Sequence, residues 1–328
     1  MSWLAIGAAL LITGALPAIA LLRWLRIRKT PRNVALAIWL PLLPWLAAEV
    51  YFQYLWSESD SFGWLSRNFA RRHYHADGFG LRDSGLPLAS DRPNVLVVGD
   101  SLAFGAGLAE VGDRFGNRLR ALLPSAHVVV LSSIGGGPLQ QTALVRRFTA
   151  GSGKVAAAVL SYTSNDILDA APRDYAAPPA GRSAWRPWFE RIELLRHFYH
   201  RVRISPAAYD AYLRGRVADA FADPEIFARH AAQLRELAAA ASRGGEAPLW
   251  LLLWPDLTRM QRDASEIAIA ELARAQGWRA LELTPLLTAH PSAELVVSRR
   301  DRHPNALAHR LVAERLAQDL RRAPALAP

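Results

Sequence analysis

The chain contains no cysteine, only two methionines, and only Lys29 and Lys154 as lysines among its 39 basic residues. Without cysteine there is no disulfide, no thiolate metal site and no thiol nucleophile, and the redox compartment is left open. Long runs of one charge are missing too. The formal net charge of +10 comes from arginines scattered among acids, with no basic stripe interleaved with aromatics, so nucleic acid is not expected as a partner. Internal repeats and low-complexity tracts are absent. What remains is a 328-residue chain, long enough to bury a core without covalent staples and to carry segments beyond one medium domain.

Charge is most conspicuously absent at the start. Trp3 to Leu22 holds no charged residue, and about 20 apolar helical residues suffice to cross a bilayer core of about 30 Å. Asn33 to Trp56 is a second such stretch, uncharged as far as Ala48, then carrying Glu49 and ending in Tyr51, Phe52, Tyr54 and Trp56, as suits a membrane–water interface. Pro17, Pro41 and Pro44 read as kinks. Between the stretches lie Arg23, Arg26, Arg28, Lys29 and Arg32, and a positive loop stays cytoplasmic. The expectation is a two-helix transmembrane anchor over residues 1–56 in a cell inner membrane, with everything after Trp56 facing the periplasm or exterior. The rival is a cleaved signal peptide ending near Ala18-Ile19-Ala20, although Met1-Ser2-Trp3 lacks the positive start that such a peptide uses.

Residues 57–92 are polar and turn-rich and read as a juxtamembrane lead-in. From 93 to 328, apolar runs alternate with helical patterns. Strands are expected at Asn94–Val98, His127–Leu131, Val155–Tyr162, Pro248–Trp254 and Ala280–Leu283, and helices at Gly112–Leu123, Leu139–Phe148 and Ala306–Leu320. Alternation of this kind builds βαβ units around a parallel sheet. The stretch from about 169 to 245, with Trp185, Trp188, Phe189 and helical patterns near Arg191–Val202 and Ile226–Ala241, is too long for a bare loop and reads as a helical insertion.

Each strand end carries residues with chemistry: Gly99-Asp100-Ser101-Leu102, then Gly135-Gly136-Gly137, then Thr163-Ser164-Asn165-Asp166, and near the C-terminus Asp301-Arg302-His303-Pro304-Asn305. A serine hydroxyl needs an imidazole to take its proton, and the imidazole gains from an acid that holds its tautomer. The tetrahedral intermediate needs fixed donors aimed at its oxyanion. Ser101 fits the nucleophile, His303 the base and Asp301 the orienting acid. The backbone N–H groups of Ser101 and Gly135 and the Asn165 amide fit the oxyanion hole, with Gly136 a rival to Gly135. Two other motifs fail: Gly153-Lys154 is followed by Val155, so there is no phosphate-binding loop, and there is no G-x-S-x-G elbow. His197 and His200 read as solvated or packed histidines, without evident carboxylate partners for a metal.

These blocks resemble the SGNH/GDSL hydrolase family. The sequence GDSL stands unbroken at 99–102, the glycine block is similar to Gly135 within IGGGPLQQ, the asparagine block appears with Thr163 where the family has glycine, and His303 stands in the last block. The family acid usually precedes its histidine by three residues; here Arg300 holds that place and Asp301 stands two before, so a Ser–His dyad remains an alternative. The segment His75–Asp83 is similar to a lead-in of membrane-associated bacterial members. The resemblance implies a three-layer α/β/α, flavodoxin-like SGNH-hydrolase domain and an ester hydrolase or O-acyltransferase working through an acyl-serine, with no metal or organic cofactor. With the expected location it implies an O-acetylated envelope or exported polysaccharide as substrate and a membrane acyl-donor protein as partner. The alternatives are a lipid-directed esterase or lysophospholipase, and a non-catalytic glycan-binding assembly subunit.

Overall fold

The computed structural model describes residues 20, 23, 30–60, 67–76, 81–82, 90–151, 155–172, 175, 191–203, 206–242 and 247–323. The chain divides into two compact units, one of Met1–Glu58, Trp64–Asn68 and Pro179–Ser205, the other of Ser59–Gly63, Phe69–Pro178 and Pro206–Pro328.

In the first unit, helix Pro31–Val50 opens on Thr30, whose side chain accepts from the Asn33 N–H, and runs through Pro41 and Pro44 into a π-helical turn at Tyr51–Leu55. Glu49 accepts from the backbone N–H groups of Glu193 and Leu194 at 2.9 and 2.8 Å. It thus caps helix Glu193–Arg203, supplying acceptors to donors that have none within their own helix. Asn68 Nδ2 donates to the carbonyls of Phe52 and Trp56, and His197 packs against both rings at 4.3 and 4.7 Å.

No described helix is long and apolar enough to cross a membrane. The expected second span, 33–56, is not supported, because Asn33 and Glu49 leave only Val34–Ala48 uninterrupted between them before the π-turn, short of the length a bilayer needs. The expected first span, Trp3–Leu22, lies outside the described residues apart from Ala20. Trp185, Trp188 and Phe189 lie outside them as well.

The second unit holds a five-stranded, all-parallel sheet in the order β2-β1-β3-β4-β5, with β1 at Asn94–Gly99, β2 at His127–Ser132, β3 at Val155–Tyr162, β4 at Leu249–Leu253 and β5 at Arg279–Glu282. Both faces are covered, which explains why the strands read as continuous apolar runs. Val95 and Val97 point to a core completed by Phe115 and Leu119 of helix Phe115–Leu122 and by Val312, Leu316 and Leu320 of helix Ala306–Arg321. Leu96 and Val98 point to the opposite core, completed by helices Pro138–Thr149, Pro224–Ala241 and Ala264–Ala275. Helices Pro206–Ala222 and Ala264–Ala275 are additions to the elements expected from sequence. The direction of strand order reverses between β1 and β3, and ligands of open parallel sheets bind beyond the carboxyl ends of the strands at such a point.

Candidate active site

Ser101 begins a one-turn helix directly after β1, held by Asp100, whose side chain accepts from the Leu102 N–H at 3.0 Å. Gly99 is required by close packing: a Cβ there would stand 2.8 Å from the Cβ atoms of both Ala103 and Ser161. Asp100 is buried, and burial lifts its carboxyl above the ordinary value against the bonds from Leu102 and Thr163. Thr163 stands where the resemblance has glycine, and its hydroxyl donates to Asp100 Oδ2 at 3.0 Å. The departure therefore has a local use, since it ties the end of β3 to the residue before Ser101.

His303 lies on the loop that leads into helix Ala306–Arg321. Asn305 caps that helix by accepting from Leu307 and Ala308, while its amide donates to the carbonyls of Glu294 and Val296. The Val297 N–H donates to the His303 carbonyl and the Ser298 N–H to that of Asp301. With the helix capped by Asn305, Asp301 is left to the imidazole. Its Oδ1 accepts from the His303 backbone N–H at 3.1 Å and meets His303 Nδ1 at 2.6 Å. On the other side, His303 Nε2 stands 3.1 Å from Ser101 Oγ. The two-residue spacing of Asp301 and His303 thus allows direct contact.

The electrostatics follow from this series. Burial alone would push the His303 imidazole down; the Asp301 hydrogen bond and charge, with the charges of Asp100 and Asp60, outweigh it and hold the group above its ordinary 6.5. Burial would lift Asp301, and the bonds and charge of His303 with the Ser59 hydroxyl overcome that and hold it below 3.8. An imidazole poised in this way can take the Ser101 proton and be stabilised once charged.

The expected oxyanion donors follow three neighbouring strands. Ser101 follows β1, Gly135 follows β2 and Asn165 follows β3, and the register pairs Gly99 with both Ser132 and Ser161, so the three strand ends lie level. The Gly136 N–H donates to the Ser133 carbonyl at 3.2 Å and the Gly137 N–H to Asp169, so both are occupied. The N–H groups of Ser101 and Gly135 and the Asn165 side-chain amide have no acceptor among the described residues. Gly135 is exposed with φ of +71°, a conformation that favours glycine.

Sequence reasoning missed Ser59, Asp60, Tyr74 and Arg82. The buried Arg82 guanidinium donates to the carbonyls of Gly105 and Leu108, each at 2.7 Å, and fixes the loop after the Ser101 turn. A signal exists in the sequence, because Arg82 falls in the His75–Asp83 segment that is similar to a family lead-in.

No protein-family profile matches the chain, and no curated protein does. The chain is similar to a solved member of the lipolytic protein G-D-S-L family from Veillonella parvula, 14% identical over 70% of this chain and 98% of that one, with a TM-score of 0.43. A two-domain esterase active on acetylated mannans is 12% identical over 71% of this chain and 50% of its own, at 0.40. A lipase/acylhydrolase from Enterococcus faecalis is 12% identical over 70% and 95%, at 0.38. At these values the likeness concerns the chain path alone.

Proposed function

We propose that the chain is an SGNH/GDSL-type ester hydrolase or O-acyltransferase that works through an acyl-serine on Ser101. The observation that carries this reading is the unbroken series Asp301–His303–Ser101 at the switch point of the sheet. Ser101 Oγ attacks the ester carbonyl while its proton passes to His303 Nε2. The oxyanion falls to the N–H groups of Ser101 and Gly135 and to Asn165. As the intermediate collapses, the bond from carbonyl carbon to alkoxy oxygen breaks and His303 returns the proton to the departing alcohol. His303 then deprotonates water, or the hydroxyl of an acceptor, which takes the acyl group and releases Ser101.

For the substrate class we favour O-acetylated envelope or exported polysaccharide, with the protein tethered to the inner membrane, its catalytic unit facing the periplasm and a membrane acyl-donor protein as partner. What supports the tether is the uncharged run Trp3–Leu22 and the exposed apolar side chains Trp39, Leu40 and Leu43. A lipid-directed esterase is favoured by one observation, the exposed Ile134 and Leu139 that flank the glycine turn.

The test is mass mapping after treatment of the detergent-purified chain with an organophosphonate serine probe. The adduct is expected on Ser101, absent in Ser101→Ala and at least roughly 1000-fold slower in His303→Ala. A folded wild type that takes no adduct would overturn the acyl-serine reading. Acetate release from acetylated glycans, set beside fatty-acid release from lysophospholipid, decides between the substrate classes, and extraction of the chain from membranes by alkaline carbonate would remove the tether.

A further inference from the structure

Asp301 is fully buried, and a buried carboxylate needs a donor for each oxygen. His303 serves Oδ1 twice, through its backbone N–H and Nδ1. Oδ2 is served from 242 residues away, by the hydroxyl of Ser59. Gly107 closes the space around the same oxygen: with φ of +83°, any Cβ there would stand 2.7 Å from Oδ2. The Gly107 N–H donates to the Tyr74 hydroxyl at 2.7 Å, which holds this turn in place.

The chemistry of the ends dictates the direction of both bonds. A backbone N–H can only donate and a carboxylate can only accept. Gly107 therefore donates to Tyr74, and Ser59 donates to Asp301. The arrangement is fastened from outside by Arg82, whose guanidinium lies 4.7 Å from the centre of the Tyr74 ring while it binds the carbonyls of the loop that carries Gly107.

Building on the acyl-serine reading, we infer that Ser59 and Tyr74 are positioning residues: Ser59 holds the Asp301 carboxylate in the orientation its imidazole needs and tempers its charge, and Tyr74 holds the Gly107 turn that closes around the same oxygen. The segment ahead of β1 thereby becomes part of the catalytic machinery, and it compensates for an acid set closer to its histidine than the resemblance leads one to expect. Removing the Ser59 hydroxyl has two effects. Asp301 loses its restraint, which slows proton transfer. Its negative charge is also less shared, which favours the imidazolium and raises the His303 pKa.

The experiment uses the full chain as wild type, Ser59→Ala, Ser59→Thr and Tyr74→Phe, each first compared by thermal unfolding. It follows the rate of phosphonate labelling at Ser101 against pH and the titration of the His303 ring by NMR. Ser59→Ala is expected to label roughly tenfold more slowly, the scale of one hydrogen bond to a charged group. Its acid limb and its His303 titration should both move to higher pH, and Ser59→Thr should restore rate and limb. Tyr74→Phe, which keeps the ring but leaves the Gly107 N–H without its acceptor, should slow labelling by less and leave the limb in place. Wild-type rate and limb in Ser59→Ala would overturn the inference. So would slow labelling with an unmoved limb that threonine does not rescue, since that pattern belongs to general destabilisation. If the folded wild type takes no label, the acyl-serine reading fails, while the His303 titration still decides whether Ser59 acts on the pair.

Discussion

At the scale of single residues, the site depends on which group accepts which proton. His303 must be neutral to take the Ser101 proton, and its imidazole is held above 6.5 because Asp301, Asp100 and Asp60 outweigh the cost of burial. kcat/KM is therefore expected to rise with pH through a single ionisation lying above 6.5, and the profile of the free enzyme on any cleaved ester checks it. A limb at or below 6.5 would mean that burial wins and that the acid contributes little. The same raised pKa has a stability consequence of opposite sense. The His303 contribution is fully present below the unfolded value and is lost as pH rises through the folded one. Ser101, His303 and Asp301 could all be named from sequence because a hydroxyl, an imidazole and a carboxylate have few joint uses. Ser59 could not be so named, since a serine in a polar stretch carries no pattern of its own.

At the scale of elements, the strands were legible because burial on both faces demands unbroken β-branched and aliphatic runs; the observed β3 matches expectation and the other four strands differ from it by a single residue at one end or at both. The helix over 31–50 shows what hydropathy alone leaves out. Its apolar composition suits a bilayer, yet Glu49 serves as the cap of helix Glu193–Arg203, a segment some 144 residues away. Capping side chains are worth about 1 kcal/mol. Glu49→Ala should therefore speed amide hydrogen exchange at the start of helix Glu193–Arg203 by roughly fivefold and leave helix Ala306–Arg321 unchanged. Hydrogen-exchange mass spectrometry reads both peptides at once, and equal exchange in the two proteins would remove the cap.

At the scale of the molecule, several buried titratable groups act in opposing directions on stability. Burial lowers His309 to about 3, with the nearby charges of Arg114 and His303 in the same direction, and its Nδ1 accepts from the Phe115 N–H at 3.1 Å. Its folded pKa lies below the unfolded one, so the unfolded chain binds more protons between about 3 and 6.5 and stability falls as pH drops through that window. Buried carboxyls act against it: burial and the charges of Asp100 and Asp169 hold Asp166 well above the usual carboxylate range, so its contribution is lost as pH rises. A difference between variants isolates the histidine. His309→Asn keeps an acceptor near the Phe115 amide, and between pH 4 and 6 its unfolding free energy should depend on pH less steeply than that of wild type by about 1.4 kcal/mol per pH unit. Denaturant titrations at several pH values measure this, and parallel slopes would show that His309 is protonated in the folded state.

The sequence by itself determined the parallel α/β class and the residues fit for acyl transfer, because strand burial and nucleophile chemistry each restrict residue types locally. Only the tertiary structure decided what depends on meetings between distant segments. It showed that Asp301 reaches His303 despite the short spacing, that Asn305 rather than Asp301 caps the last helix, and that Glu49 is spent on a helix end. It also brought Ser59 to the acid. A hydrogen bond between residues hundreds of positions apart leaves no periodicity and no motif. It exists only where folding has already placed a donor beside a buried acceptor.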